Sequence, residues 1–494
     1  MDMKRIAEAL AEEGLMVDSS PLPALAAVTV EHLSYNSRFV SPNTLFFCKG
    51  LHFRPAYLAQ AIENGAVAYI AEEKYPEIRA DIAFIQVRDA RRAMSVAAMA
   101  FYGYPGRELN LIGITGTKGK TTTAYLIKNI IDAQLNQTTA ILSSIEIFTG
   151  KVSAEAYLTT PESPDLQKYI AQALADGMPY LTMEVSSQAY KMARVYGLRF
   201  NTGVFLNIDE DHISDTEHRD FEEYLACKLE LIKNSDVAVI NGGTREFPRV
   251  LAAARAHARQ VVTYGFSPRH DYWGENIRKV GNGFSFDVAG PDHYRAGFEI
   301  KMIGRFNVEN ALAAVAVART LGIGDQAIRS GLANTRVKGR MNLFENNGVS
   351  VIVDYAHNYL SFSRLYESVK ADFPGRRIVV LFGCPGGKAY GRRRDLGTLT
   401  GQNAQYVYLT TDDAQYEDVM QISREIASYI EPFGVPYEII PDRKTAIATA
   451  IRQAEPGDVI ILAAKGEELY QKVNGEFVPF ESDLVLAQQY LGLL

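Results

Sequence analysis

One stretch of this chain carries the clearest chemistry: Gly113-Ile114-Thr115-Gly116-Thr117-Lys118-Gly119-Lys120-Thr121-Thr122. Glycines let the main chain turn its N–H groups inward, and a helix starting at Lys120 would add the positive potential of its N-terminus, so the segment is a cradle for phosphate. Lys120 would reach the outer phosphates and Thr121 would offer its hydroxyl to Mg²⁺. The spacing departs from GxxxxGK[ST], because the residue five before Gly119 is Ile114 and not glycine.

Two later segments close apolar runs with acids. In Met183-Glu184-Val185-Ser186-Ser187-Gln188, Glu184 ends a strand-like run. A carboxylate at the C-terminal end of a strand beside a phosphate loop can hold Mg²⁺; the alternative is a solvated strand-end acid. Asn207-Ile208-Asp209-Glu210-Asp211-His212 ends the next run. His212 on its own reads as a structural histidine, and its place on a second metal-bearing strand end argues for more. Thr159-Thr160-Pro161-Glu162-Ser163 reads locally as a helix start with Pro161 at the first helical position. Asn307 could cap a helix. Lys228, in the amphipathic run FEEYLACKLELI, reads as a surface lysine.

The elements around these residues alternate. LNLIGIT (109–115), TAILSS (139–144), YLTMEVSS (180–187), TGVFLNI (202–208) and DVAVIN (236–241) are strand-like, with helical stretches between most of them. Such alternation means a mainly parallel sheet wrapped by helices. Residues 282–303 alternate apolar and polar positions and suggest antiparallel strands, and a helix is expected from Val308 to Leu321. A second block repeats the pattern with VSVIVDYA (349–356), RRIVVLFG (376–383), YVYLTT (406–411), YEIIP (437–441) and DVIILAA (458–464), without the glycine signature of a nicotinamide site. Ahead of both, TLFFCKG (44–50) reads as a strand and Ala56 to Val67 as a helix, and FYGYPGREL (101–109) joins two domains. The expected architecture is α/β in three domains. Residues 1–107 form a small α/β domain, 108–335 a central phosphate-loop domain and 336–494 a Rossmann-like domain.

The bulk properties fit a multi-domain globular enzyme. A chain of 494 residues is too long for one core. The formal charge of -7 argues against a nucleic-acid partner. Cys48, Cys227 and Cys384 form no CxxC pair, so reduced thiols in a cytoplasmic protein are expected. No run reaches the ~18 apolar residues of a membrane span, and the N-terminal MDMKRIAEALAEEGL is an amphipathic helix and not a signal peptide. A monomer is expected.

The form GTKGKTT resembles the ATP loop of the Mur ligases and of their relatives, the folylpolyglutamate synthetases. The resemblance runs along the whole chain, and it is greatest to the Mur ligases that extend UDP-N-acetylmuramoyl-L-alanyl-D-glutamate. It implies ATP held by Gly116, Thr117, Lys118, Gly119, Lys120, Thr121 and Thr122, with Asn307, in a GxFNxxN segment beside the adenine, and with Arg340, Asp354 and His357. It implies two Mg²⁺ ions held by Thr121, Glu184, His212 and Lys228, the lysine having reacted with CO₂ to become a carbamate. The UDP-muramoyl-dipeptide would meet Ser37, Arg38, Thr159, Thr160, Ser187 and Arg194, although Asn36 stands where the family has aspartate in Asp-Ser-Arg. Domain by domain, the resemblance implies a UDP-sugar domain, an ATP domain and an amino-acid domain.

The implied reaction is ordered. The substrate carboxylate attacks the γ-phosphate of ATP, giving an acyl phosphate and ADP, and the amine of a free amino acid then displaces phosphate. Family members that add meso-diaminopimelate carry Asp-Asn-Pro-Arg after the strand equivalent to YVYLTT. This chain has Asp412-Asp413-Ala414-Gln415 there, without the arginine. Arg393 and Glu468 match positions that hold the amino acid's own carboxylate and amine. An added acid and a lost arginine favour a side chain ending in an ammonium, so L-lysine is expected ahead of ornithine, with diaminopimelate last. The rivals are a folylpolyglutamate-synthetase-like ligase and a phosphate-loop ATPase that makes no bond. Against the first stand Ser37-Arg38 and Thr159-Thr160-Pro161.

Overall fold

The structure, a computed structural model, describes residues 1–50, 53–76, 78–79, 81–211, 213–214 and 217–494. The chain divides into two compact units. One comprises Met1–Lys120, Ile131–Tyr264 and Arg319–Leu321; the other comprises Thr121–Ile130, Gly265–Ala318 and Gly322–Leu494.

In the first unit, an N-terminal sheet runs Met16–Ser19, Ala83–Val87, Ala66–Ala71, Thr44–Phe47, His32–Ser34. The first pair is antiparallel and the rest are parallel. The expected N-terminal helix forms over Met3–Glu12, capped by the Asp2 carboxylate on the Arg5 N–H. Its apolar stripe of Met3, Ile6 and Leu10 packs with Leu45, Phe47, Ile70 and Ile85. The helix expected over 56–67 is Pro55–Glu63 and stops early. Gly65 turns the chain at φ +109°, with its α-carbon so near Pro42 that a Cβ would lie 2.8 Å from the Pro42 Cα. Ala66–Ala71 is therefore a strand.

The same unit holds parallel strands in the order Gln260–Gly265, Ser235–Asn241, Phe200–Phe205, Asn110–Thr115, Tyr180–Glu184, Ala140–Leu142. The central one leads into the phosphate loop. Gly113 serves packing there: a Cβ would sit 2.7 Å from Leu231 and 2.8 Å from Phe200.

In the second unit, Gly283–Ala289 and Arg295–Ile300 pair antiparallel, as the alternation over 282–303 suggested, and Tyr272–Val280, which lies ahead of that range, pairs antiparallel with Gly283–Ala289. The expected helix runs Phe306–Thr320. A six-stranded sheet follows in the order Asn342–Asn346, Val349–Val353, Asp458–Leu462, Arg377–Phe382, Tyr406–Leu409, Tyr437–Ile439. Only its first pair is antiparallel. Val349–Val353, Asp458–Leu462 and Arg377–Phe382 are buried on both faces, which is why they read as unbroken apolar runs. Ile352, Val380 and Val407 face the helices Tyr359–Asp372, Gly391–Asn403 and Val419–Ile430. Val351, Val379 and Leu381 face Arg443–Arg452 and Asp483–Tyr490. Neighbouring strands thus end together, and the loops after Val353, Phe382, Leu409 and Leu462 leave one edge of the sheet.

Candidate active site

In the first unit the phosphate loop is braced by the strand-end segment that follows Phe205. Lys118 N–H donates to Asn207 Oδ1 at 2.9 Å, and Asn207 Nδ2 returns a bond to Lys118 O at 3.1 Å. Thr117 Oγ1 accepts the Asp209 N–H at 3.1 Å and lies 3.0 Å from the Tyr224 hydroxyl. Lys118 Nζ is 3.2 Å from Asp211. Gly119 takes φ +87° immediately before the helix Lys120–Leu135, a conformation that only glycine adopts freely. Lys120 curls its Nζ back onto Gly116 O at 2.9 Å. His212 lies outside the described residues.

Glu184 is not a solvated acid; it is 1% exposed. Its Oε1 accepts the Ser144 N–H at 2.7 Å, and its main-chain oxygen accepts the Thr160 hydroxyl at 3.0 Å. Thr160 in turn accepts the Ser186 N–H, and its carbonyl accepts from Arg194 Nη1 at 3.2 Å. The structure therefore brings Thr160, Glu184 and Arg194 together. Thr159, half-buried, adjoins them in sequence. The helix after this segment is Ser163–Ala175, with Glu162 at its cap and Pro164 in its first turn. The local expectation of Pro161 at the first helical position is thus missed by two residues, since Ser163 opens the helix. Glu162 has other work: it meets Lys49 at 2.8 Å and Arg194 at 3.1 Å. Burial pushes its carboxyl up, and Lys49, Arg194 and Arg91 together bring it below its ordinary value. Ser187 Oγ lies 2.9 Å from Nε2 of the buried His218. Ser37 bonds Gln60 at 2.7 Å, and Arg38 is exposed with its N–H on Asn36 Oδ1 at 3.1 Å. Asn36 closes the turn by itself where the family has aspartate.

Lys228 overturns its surface reading: it is 1% exposed. Burial drives its ammonium well below the usual lysine range, the charges of Lys120 and Lys118 push the same way, and Asp211 opposes. A lowered ammonium gives up its proton more readily than a surface lysine does. Among the described residues, no three His, Cys, Asp or Glu side chains gather into a metal cage. The donor present, a buried Glu184 oxygen, suits Mg²⁺, which takes few protein carboxylates and completes its shell with phosphate oxygens and water.

The second unit holds the other expected residues. Asn307 lies inside the first turn of its helix and not at the cap, since the helix opens at Phe306. Its Nδ2 donates to Ile303 O at 2.8 Å and its Oδ1 accepts from Asn310 at 3.1 Å. Asp354 accepts the Met341 N–H at 2.8 Å and the Ala356 N–H at 2.7 Å. Arg340 stacks 4.7 Å over the Tyr355 ring and borders a cleft of about 630 Å³ with Lys301, Arg336 and Phe344. His357 Nδ1 donates to Tyr355 O at 2.8 Å.

At the strand ends of the six-stranded sheet, an acidic cluster surrounds one lysine. Lys465 is fully buried and donates to Asp413 at 2.9 Å and to Glu468. Glu468 also accepts the Tyr355 hydroxyl at 2.8 Å, and Asp413 accepts the Lys472 N–H at 3.1 Å. Asp412 lies half-buried beside them. Burial pushes its carboxyl up to about 6 against the pull of Lys465, and Asp413 adds to the rise. Below the cluster, the fully buried pair of Arg443 and Asp483 bonds at 2.8 and 2.5 Å, and Arg443 also donates to Thr411 O and Ala463 O. Asp412, Asp413 and Glu468 are thus one site. Arg393 is 3% exposed and bridged to Glu417 at 2.7 Å and Glu425 at 2.6 Å. Sequence reasoning missed Lys465, Tyr355, Lys49 and His218. Lys465 had a signal, since it follows the strand Asp458–Leu462 and precedes a glycine.

This geometry agrees with relationships across the chain. Residues 114–318 match the Mur ligase middle domain and residues 339–466 the Mur ligase, glutamate ligase domain. The UDP-N-acetylmuramoyl-L-alanyl-D-glutamate--L-lysine ligase of Enterococcus faecalis is 41% identical over 479 residues, covering 94% of this chain and 92% of its own. That of Streptococcus sanguinis is 42% identical and covers 94% of both chains. A solved UDP-N-acetylmuramoyl-L-alanyl-D-glutamate--2,6-diaminopimelate ligase superposes with a TM-score of 0.66 at 25% identity, over 100% of this chain and 99% of that one. The chain belongs to the Mur ligase family.

Proposed function

We propose that this ligase joins L-lysine to the D-glutamate of UDP-N-acetylmuramoyl-L-alanyl-D-glutamate, consuming ATP, in the making of peptidoglycan precursors. The observation that carries the choice of lysine is the half-buried cluster of Asp412, Asp413 and Glu468 around the buried Lys465. Three acids face one ammonium, with the diaminopimelate-type arginine absent from the Asp412–Gln415 loop. The names of the relatives at 41% and 42% identity point the same way.

In this reading residues 1–107 serve the UDP-sugar, 108–335 ATP and 336–494 the amino acid. The substrate carboxylate attacks the γ-phosphorus and ADP leaves. The lysine α-amine then attacks the acyl carbon and phosphate leaves. Lys120 and the loop N–H groups of Gly116–Thr122 steady the phosphates. Asn307, Arg340, Asp354 and His357 are assigned to the nucleotide by the family resemblance. Thr160 and Arg194 orient the muramoyl-dipeptide. Two Mg²⁺ ions, held by Glu184, Thr121, His212 and Lys228, would neutralise charge on the phosphates. The amine of Lys228, once it has lost its ammonium proton, would bond to the carbon of CO₂ and release a second proton, giving an anionic oxygen ligand.

The test is kcat/KM for L-lysine, L-ornithine and meso-diaminopimelate with the UDP-muramoyl-dipeptide and ATP. Lysine should lead diaminopimelate by at least about a hundredfold, because an added carboxylate would be buried among acids. Diaminopimelate as the best substrate overturns the reading.

A further inference from the structure

Asn307 belongs to a segment that is held from outside its own helix. Asp372 ends the helix Tyr359–Asp372, and its side chain is 4% exposed. Its Oδ2 accepts the Gly304 N–H at 2.8 Å in a fully buried hydrogen bond, while Oδ1 lies 3.3 Å from Lys279 Nζ. Lys279 also donates to the Asp372 main-chain oxygen. Apolar contacts repeat the attachment. Ile303 is 2% exposed and sits in the core formed by Phe362, Leu365, Phe373 and Ile378, and Phe306 packs on the same core. From Ile303 the grip passes to Asn307, whose Nδ2 bonds the Ile303 carbonyl.

The segment before the helix Phe306–Thr320 is therefore fixed by a helix of the six-stranded sheet, the sheet that also carries the acidic cluster. A charged acceptor on a buried N–H is among the stronger single bonds a protein makes. We infer that Asp372 is a positioning residue for the nucleotide: it fixes the Gly304–Asn307 segment and so ties ATP affinity to the placement of the amino-acid-binding sheet. The inference rests on the assignment of Asn307 to the adenine.

The experiment compares the full-length wild type with Asp372→Ala, Asp372→Asn and Asn307→Ala. It measures Kd for a fluorescent ATP analogue and KM for ATP, L-lysine and the UDP-muramoyl-dipeptide. Asp372→Ala should weaken ATP by about ten- to a hundredfold, the worth of a hydrogen bond to a charged group. The other two KM values should stay within about threefold. Asp372→Asn should restore most of the loss, because its amide oxygen can still accept from Gly304. Unchanged ATP affinity in folded Asp372→Ala, an equal rise in all three KM values, or no recovery in Asp372→Asn overturns the inference. If Asn307→Ala also leaves ATP affinity unchanged, the assignment of the segment to the adenine has failed; if Asn307→Ala weakens ATP and Asp372→Ala does not, the inference alone has failed. Should Asp372→Ala not fold, hydrogen exchange on the wild type decides, with a slowly exchanging Gly304 amide expected and a fast one overturning the inference.

Discussion

Lys228 Nζ stands 4.6 Å over the ring of Tyr224, one turn earlier on the same helix, and the Tyr224 hydroxyl lies 3.0 Å from Thr117 of the phosphate loop. A buried lysine amine and the ATP loop therefore share a neighbour. Lys228→Ala should be nearly inactive and partly rescued by acetate or another short carboxylate, which supplies the missing oxygen ligand. Full activity of Lys228→Ala without additives would remove Lys228 from the mechanism.

Lys120→Ala and Glu184→Ala should each lower kcat by on the order of a hundredfold or more, with folding retained. Far-ultraviolet circular dichroism checks the fold and phosphate release checks turnover. Activity within about tenfold of wild type in either variant would show that the assigned phosphate and metal groups lie elsewhere.

Asp412 gives a pH signature. Its carboxyl lies near 6 in the folded chain against 3.8 as a free side chain. The folded state thus binds this proton more readily, so its contribution to stability declines as pH rises from about 4 through about 6 and is constant above. Binding of L-lysine has the opposite trend, because the ammonium is drawn to the ionised form. The Kd for L-lysine should rise as pH falls through about 6, and Asp412→Asn should flatten that dependence. An identical pH profile in Asp412→Asn and wild type would exclude Asp412 from the site.

Arg443 and Asp483 form an ion pair with both side chains 0% exposed. Asp483→Ala leaves a guanidinium buried without its charge partner and should cost about 3–5 kcal/mol in denaturant unfolding. Arg443→Met combined with Asp483→Leu should recover much of that loss. Equal stability of Asp483→Ala and wild type would contradict the burial of the pair.

The sequence disclosed what is local. Lys120 and Glu184 stand at a strand–turn–helix and a strand end, and both contexts are readable within ten residues. The parallel strands were legible because burial on two faces leaves unbroken apolar runs. Lys228 was not legible, since its helix looks amphipathic and its burial depends on Tyr224 and on strands packed from elsewhere. Arg443 and Asp483 pair across 40 residues, a distance over which spacing carries no signal. The early end of the Pro55–Glu63 helix was hidden in one glycine whose neighbour, Pro42, lies far back in the chain.

The strand ends of the six-stranded sheet have an evolutionary consequence. Tyr355, Asp412, Asp413, Lys465 and Glu468 hang from three loops, whereas the apolar residues that hold the sheet together lie within the strands. Under the proposed assignment of these loops to the amino acid, donor choice and foldability are written in different residues. A lineage can exchange one diamino acid for another by drifting through a few loop codons, with the scaffold under unchanged selection. Grafting the Asp412–Gln415 loop into a diaminopimelate-adding relative is the corresponding laboratory step, and its success would depend on carrying the neighbours of Lys465 along with it.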